Sequence, residues 1–382
     1  MARNDGAKRL GIKMGAPLFE LQDMVDRGEV ICFSSNYSLY QSLSDRIMAI
    51  IAERSPDHFV YSIDESFADL TGVQDPFTWA SETQAIIKAR TGMPVGIGIG
   101  PTKTLAKLAN WAAKKWKHKT GCIVDLMDPV RQEKLLRYAP VGEVWGVGSR
   151  TAARLAELGI KTAWDLASAD PKRIRKHLNV NIERTARELA GIVCFPLHED
   201  AGKKQMIACT RSFGNRLTTL AQMNEAVVAY TCNASEKARR QQSLVTCLQV
   251  FLRTSAFAPE GQRYSRSIVI QPPYPTADSR VLTAAALGGV RAIFRPGFAY
   301  AKAGVILTQL IDQEGQTSDL FTPGDSARSE RLMGVLDSLN RNMGRGTLKL
   351  ARDVGTKPWS MRQQRLSPNY MSNWNDLPKV RC

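Results

Sequence analysis

Apolar and polar positions follow two different periods along this chain, and the changes of period mark its organisation. Residues 1–50 read as helices and loops, with Lys8 and Arg9 near the start. A helical spacing of apolar residues runs through Leu39–Arg54, residues 79–91 and Thr102–Lys117, so that side chains three and four apart share a face. Between them, residues 59–73 carry β-favouring side chains closed by Thr71-Gly72 and predict a strand pair or strand-turn. Val95–Ile99 predicts a short buried strand, and residues 131–190 several helices joined by Gly-containing turns. Ala201–Gln205 is a polar, basic break that predicts a linker. Beyond it, strands at Met206–Phe213, Val245–Arg253, Ser267–Gln271 and Ala303–Leu310 frame helices at Leu220–Gln241 and Ser279–Ile293. That β-α-β-β-α-β order predicts a split βαβ sandwich. From Asp312 onward the chain is polar and punctuated by Gly and Pro, with one more helix at Ser329–Asn340.

Composition narrows the class. At 382 residues the chain is too long for one typical domain, and 43% hydrophobic residues supply real cores. Lys and Arg number 52 against 36 Asp and Glu, a formal net charge of +16, which favours a polyanionic partner. No apolar run is long enough to span a bilayer and no signal-peptide segment opens the chain, so a cytoplasmic protein without a membrane partner is expected. The seven cysteines form no CxxC pair, which excludes a disulfide framework and a zinc site as readings.

The candidate chemistry starts at Asp64-Glu65, inside Tyr61–Gly72. An Asp-Glu step buried in a strand is costly without a positive neighbour, and a hard divalent cation is the usual solution. A solvent-exposed hairpin end is the plainer alternative. Downstream, Gly96-Ile97-Gly98-Ile99-Gly100 precedes a helix, but Pro101-Thr102 break the P-loop spacing. These glycines suit phosphate contact and tight strand–helix packing equally. On the helix that follows, Lys103, Lys107 and Lys114 share one face at about 100° per residue, a stripe suited to a triphosphate. Val144-Trp145-Gly146-Val147-Gly148-Ser149 predicts a helix-hairpin-helix whose glycines, Gly146 and Gly148, let backbone N–H groups approach a nucleic-acid phosphate. Arginines interleave with the later strands, Arg211 and Arg253 among them, and on a sheet face would track phosphates.

YSIDESFADLTGV, GIGIGPTKTLAKLANWAAKKW and VWGVGSRTAARLAELGIKTAWDLA together resemble the Y-family translesion DNA polymerases, and within them the UmuC type, the catalytic subunit of DNA polymerase V and its plasmid-borne relatives. NDGAKRLGIKMG, CFSSNYSLY and Arg345-Gly346-Thr347-Leu348 extend the likeness over essentially the whole chain. The resemblance implies an α+β right hand: fingers over 1–34, a partial palm over 35–124, a helical thumb over 125–195, a βαββαβ little finger over 203–311 and a tail over 312–382. It implies SOS-response DNA synthesis on a damaged primer-template. Asp64 and Glu65 would be the catalytic, metal-binding carboxylates and Mg²⁺ the cofactor. Lys8 and Lys114 would contact the incoming dNTP, and Gly146–Gly148 would grip the duplex. Lys103, Lys107, Arg211 and Arg253 remain candidate DNA contacts. An accessory UmuD-like dimer and a RecA filament are the implied partners.

The chain departs from the family in two places. Family members carry an earlier palm strand, with another metal-binding Asp and a following aromatic that excludes ribonucleotides, before the segment matching Ala2-Arg3-Asn4. Met1 stands directly upstream of that match, so the expectation is a chain lacking this strand, with little or no activity as written. The alternative is a truncated, catalytically inactive DNA-binding remnant. The family's sliding-clamp peptide is also reduced, to the Leu320-Phe321 anchor, which predicts weak clamp binding.

Overall fold

A computed structural model describes residues 2–198, 202–314, 324–351, 359–360, 363–371 and 373–377. The chain forms two units, Met1–Asp200 with Arg365–Cys382, and Ala201–Gln364.

The first unit opens with two short helices, α1 (Asp5–Arg9) and α2 (Gln22–Asp26), and the long α3 (Tyr37–Arg54). Asn36 caps α3 by accepting from Leu39 N–H. An antiparallel pair follows, β1 (Asp57–Val60) and β2 (Ser66–Asp69), and then α4 (Pro76–Thr91). β3 (Ile97–Ile99) pairs in parallel with β4 (Ile123–Asp125). Between them run α5 (Lys103–Lys115) and α6 (Lys117–Thr120). The expected single helix to Lys117 thus breaks at Trp116, where the backbone leaves the helical region.

The Gly-Ile-Gly-Ile-Gly run is a packing device. A Cβ on Gly98 would stand 2.2 Å from Ala106 O and from Asn110 N, and one on Gly100 2.9 Å from Ala106 N. Only glycine lets α5 lie this close to β3. Leu105, Leu108, Ala109 and Ala112 of α5 are buried against the helices of the following region, α7 (Pro129–Tyr138), α8 (Ser149–Glu157), α9 (Ala163–Ala167), α10 (Pro171–His177) and α11 (Val180–Leu189).

The second unit is a four-stranded antiparallel sheet, β5 (Ile207–Leu217), β6 (Ser243–Thr254), β7 (Ser265–Ile270) and β8 (Tyr300–Asp312), in the order β5-β8-β6-β7. One face is covered by α12 (Leu220–Arg240) and α13 (Ser279–Ile293), with Val250, Leu252, Ala303, Val305 and Leu307 in the core. The expected β-α-β-β-α-β arrangement is therefore present in chain order. A further helix, α14 (Ala327–Asn342), belongs to the same unit.

Candidate active site and nucleic-acid surfaces

Asp64 and Glu65 do not lie in the middle of a strand. The strands β1 and β2 pair from Asp57↔Asp69 to Val60↔Ser66, which leaves residues 61–65 as the connecting turn. Tyr61 and Ser62 N–H groups both donate back to Glu65 O, closing it. Asp64 is exposed at the tip, and its carboxylate accepts from Ser62 Oγ at 2.6 Å. The burial argument for a metal thus fails for Asp64: the pair sits on a hairpin end. β-Favouring Tyr61 and Ile63 are 46% and 44% exposed there, because the turn, not the strand, places them.

The positive charge appears from a different element. Lys107, one turn into α5, points its Nζ to 2.5 Å from Glu65 Oε1, and it is only 19% exposed. It also lies 5.6 Å from the Tyr61 ring centre. The hairpin, which is short, is held by aromatic rings: Tyr61, Phe67 and Phe195 surround Trp145, with centroids at 5.5, 5.8 and 5.7 Å from the indole. Trp145 belongs to the Gly146–Gly148 turn. Edge-to-face rings of this kind add to their buried area.

The donor set suits a hard cation. Two carboxylates, with remaining positions left to water and substrate phosphate, are an ordinary Mg²⁺ arrangement. Among the described residues no group of three or more His, Cys, Asp or Glu gathers around a common point. The Lys107 ammonium supplies positive charge to one of the two acids.

The lysines of the stripe have separate duties. Lys103 donates to Leu197 O at 2.9 Å and lies 5.0 and 5.1 Å from the Phe59 and Phe67 ring centres. Lys107 is committed to Glu65, and Lys114 is exposed beside Gly96. Lys103 and Lys107 are thus both engaged with protein groups, whereas Lys114 is exposed. Lys8 pairs with Asp5 at 2.9 Å, and Lys117 reaches the other oxygen of the same carboxylate at 2.5 Å. Hydrogen bonds from Lys117 and then Lys8 hold the Asp5 carboxyl well below the usual carboxylate range.

Gly146 has φ +86°, which an L side chain adopts only under strain. Gly148 is the N-cap of α8, makes no side-chain cap bond, and nothing stands within 4 Å of where its Cβ would be. The start of α8 thus has no side-chain cap, and the space where a Gly148 side chain would stand is empty.

Glu188 is a residue that sequence reasoning missed. It is fully buried on α11, and its carboxylate accepts from Thr104 N–H at 2.9 Å, Thr104 Oγ1 at 2.8 Å, Cys194 N–H at 3.0 Å and Phe195 N–H at 2.9 Å. It fastens the start of α5, and hence the helix carrying Lys107, to the segment carrying Phe195. A lone Glu in an amphipathic helix gives no sign of this.

In the second unit, strand register separates the two candidate arginines. Arg253 pairs with Lys302 and Ser265, and shares the helix-free face with Phe251 and Gln249. Arg211 pairs with Ala303, whose side chain is in the core, so Arg211 falls on the helix-bearing face. The expectation that they line one sheet surface is thus corrected. On the open face a Cβ at Gly304 would meet Thr210 Cγ2 at 2.4 Å and Phe251 Cε1 at 2.7 Å, so the neighbouring side chains fill the space above the glycine. Leu320 and Phe321, the candidate clamp anchor, lie outside the described residues. No described helix is long and apolar enough to cross a membrane.

Comparison with known proteins gives the family of the chain. Residues 1–111 match the impB/mucB/samB family, residues 204–320 the impB/mucB/samB family C-terminal domain, and residues 330–380 a domain of unknown function, DUF4113. The chain is 43% identical to Protein UmuC of Salmonella typhimurium over 393 aligned positions, covering 100% of this chain and 93% of that protein. It is 41% identical to Protein MucB of Escherichia coli, covering 99% of this chain and 90% of the relative. A solved Y-family DNA polymerase chimera of Dbh and Dpo4 superposes with a TM-score of 0.58 at 20% identity, over 80% of this chain and 86% of that one, a likeness of fold. The chain belongs to the impB/mucB/samB family and has the α+β fold of a Y-family DNA polymerase.

Proposed function

We propose that Asp64 and Glu65 are the metal-binding carboxylates of this chain in error-prone translesion DNA synthesis, the function of its family. The observation that carries the assignment is the hairpin turn that bears both acids in succession, with Lys107 at 2.5 Å from Glu65. Bound divalent metal, which we take to be Mg²⁺, would polarise the α-phosphate and stabilise the leaving pyrophosphate. The chain's own groups do the positioning. Lys107 neutralises Glu65 until a cation arrives, and Glu188 fixes the start of the helix that bears Lys107. Lys8 and Lys114 are the candidate contacts to the triphosphate of an incoming dNTP, and the Gly146–Gly148 turn is the grip on the primer-template backbone. Residues 1–34, 35–124, 125–195 and 203–311 serve as fingers, palm, thumb and little finger in this reading. A UmuD-like dimer and a RecA filament are the proposed partners in the SOS response.

Primer extension with Mg²⁺ on undamaged and abasic templates tests the assignment. Wherever the chain extends a primer, Asp64→Ala should abolish that extension with DNA binding retained; extension that survives Asp64→Ala would refute the assignment. One observation favours a second reading, DNA binding without synthesis: no third acidic or metal-binding group joins Asp64 and Glu65 among the described residues. Tight primer-template binding with no extension by the unmodified chain would establish that reading instead.

A further inference from the structure

The segment matching a domain of unknown function, residues 330–380, has two anchorages, and they lie in different units of the chain. The first is in the unit of the four-stranded sheet. Asp337 of α14 takes both prongs of the Arg239 guanidinium, Nε and Nη2, at 2.7 Å each, and both residues are 14% exposed. Arg239 donates further to Ala277 O and Ser279 Oγ. Ser329 bonds Asp278 and Arg280, and Met333 is buried. Trp359 then enters the core of the same unit, 6% exposed, edge-on to Tyr230 with centroids 5.5 Å apart, and its carbonyl accepts from Gly214 N–H.

The second anchorage is in the first unit. Ser34 N–H donates to Arg365 O at 2.7 Å, and Arg365 N–H returns a bond to Ser34 Oγ at 3.2 Å. Ser34 and Leu366 form a parallel bridge. Asn36 is 4% exposed and does two jobs at once. Its Oδ1 accepts from Leu39 N–H to cap α3, and its Nδ2 donates to Ser367 O at 2.9 Å. A buried amide with donor and acceptor both satisfied, one on each side, is a built recognition site for an extended backbone.

We propose that residues 330–380 act as a two-ended strap, with α14 and Trp359 built into the sheet unit and Arg365–Ser367 clasped by Ser34 and Asn36 on the first unit. The Ser34–Asn36 loop is the receiving site, and its ligand is an extended peptide, here the chain's own tail. The inference holds whether or not the chain synthesises DNA, because its readouts are structural.

Hydrogen exchange on the full chain tests the clasp. The Asn36→Asp variant keeps an acceptor for the α3 cap but replaces the donor to Ser367 with a second acceptor. Exchange at the Ser34 amide should accelerate about tenfold or more in Asn36→Asp, and equally in a chain ending at Gln364, while α14 amides keep their protection. Unchanged Ser34 exchange in Asn36→Asp would overturn the clasp. A protease site placed in residues 199–203 tests the strap. After cleavage the two fragments should co-elute with the native tail and separate in Asn36→Asp. Separation in both, or co-elution in both, would overturn it.

Discussion

The Lys107 ammonium stands 2.5 Å from a Glu65 carboxylate oxygen, so an acid expected to hold metal is held by a lysine. The pair joins a turn to a helix 42 positions later in the chain. A cation entering at Asp64 and Glu65 competes with this ammonium. Removing the lysine as Lys107→Met should therefore strengthen Mn²⁺ binding to the free protein severalfold, read by water-proton relaxation enhancement. Unchanged binding would mean that Glu65 is not a ligand.

Glu188 satisfies four donors from its buried position. Truncation as Glu188→Ala leaves them with no partner and should destabilise the first unit by about 3–5 kcal/mol in urea unfolding. Glu188→Gln keeps one acceptor oxygen and should cost less. Equal losses for the two variants would show that burial volume, not hydrogen bonding, sets the effect.

The sheet register makes opposite predictions for two arginines of the same type. Arg253→Ala on the open face should lower the salt dependence of DNA binding, with log K against log salt flattening by about 0.9. Arg211→Ala on the helix-bearing face should leave the slope unchanged. A fall for Arg211 and none for Arg253 would place the nucleic acid on the other side of the sheet.

His58, on β1, has a buried Nε2 with no hydrogen-bond partner. Burial pushes its imidazole below the ordinary value of 6.5; Asp57 acts against that shift and His198 adds to it. The folded state thus favours neutral His58, and the unfolded chain binds the extra proton. Stability contributed by this group is complete above pH 6.5 and is lost as pH falls towards the lowered folded value. The hydrogen bond from His198 keeps Asp57 ionised to lower pH than usual, so its own loss begins only in more acidic solution. The melting temperature of the first unit should drop between about pH 7 and pH 5, and His58→Gln should flatten that drop. An identical pH profile in the variant would exonerate His58.

What the sequence disclosed and what it hid divide along chain separation. The apolar spacing of α12 and α13 and the alternation of β5 to β8 are local, and they placed the sheet unit correctly. Asp64-Glu65 was visible as an acidic pair, but Tyr61, Ile63 and Phe67 read as one strand because turn closure depends on the Glu65 carbonyl, which no side-chain pattern reports. Lys107 reads as part of a stripe suited to a triphosphate; its partner, Glu65, comes from another element. Arg211 and Arg253 looked equivalent until register assigned each a face. Gly98 and Gly100 suit phosphate as well as packing, and only the α5 backbone, which a Cβ on Gly98 would meet at 2.2 Å, separates the two.

Trp145 gives the Gly146–Gly148 turn and the acid hairpin a common hub. The indole touches Tyr61 and Phe67 on either side of Asp64 and Glu65, and it immediately precedes the Gly146–Gly148 turn. Stiff rings in contact transmit displacement rather than absorb it. Loss of the indole would therefore loosen the glycine turn and the hairpin tip together, two elements about eighty positions apart in the chain.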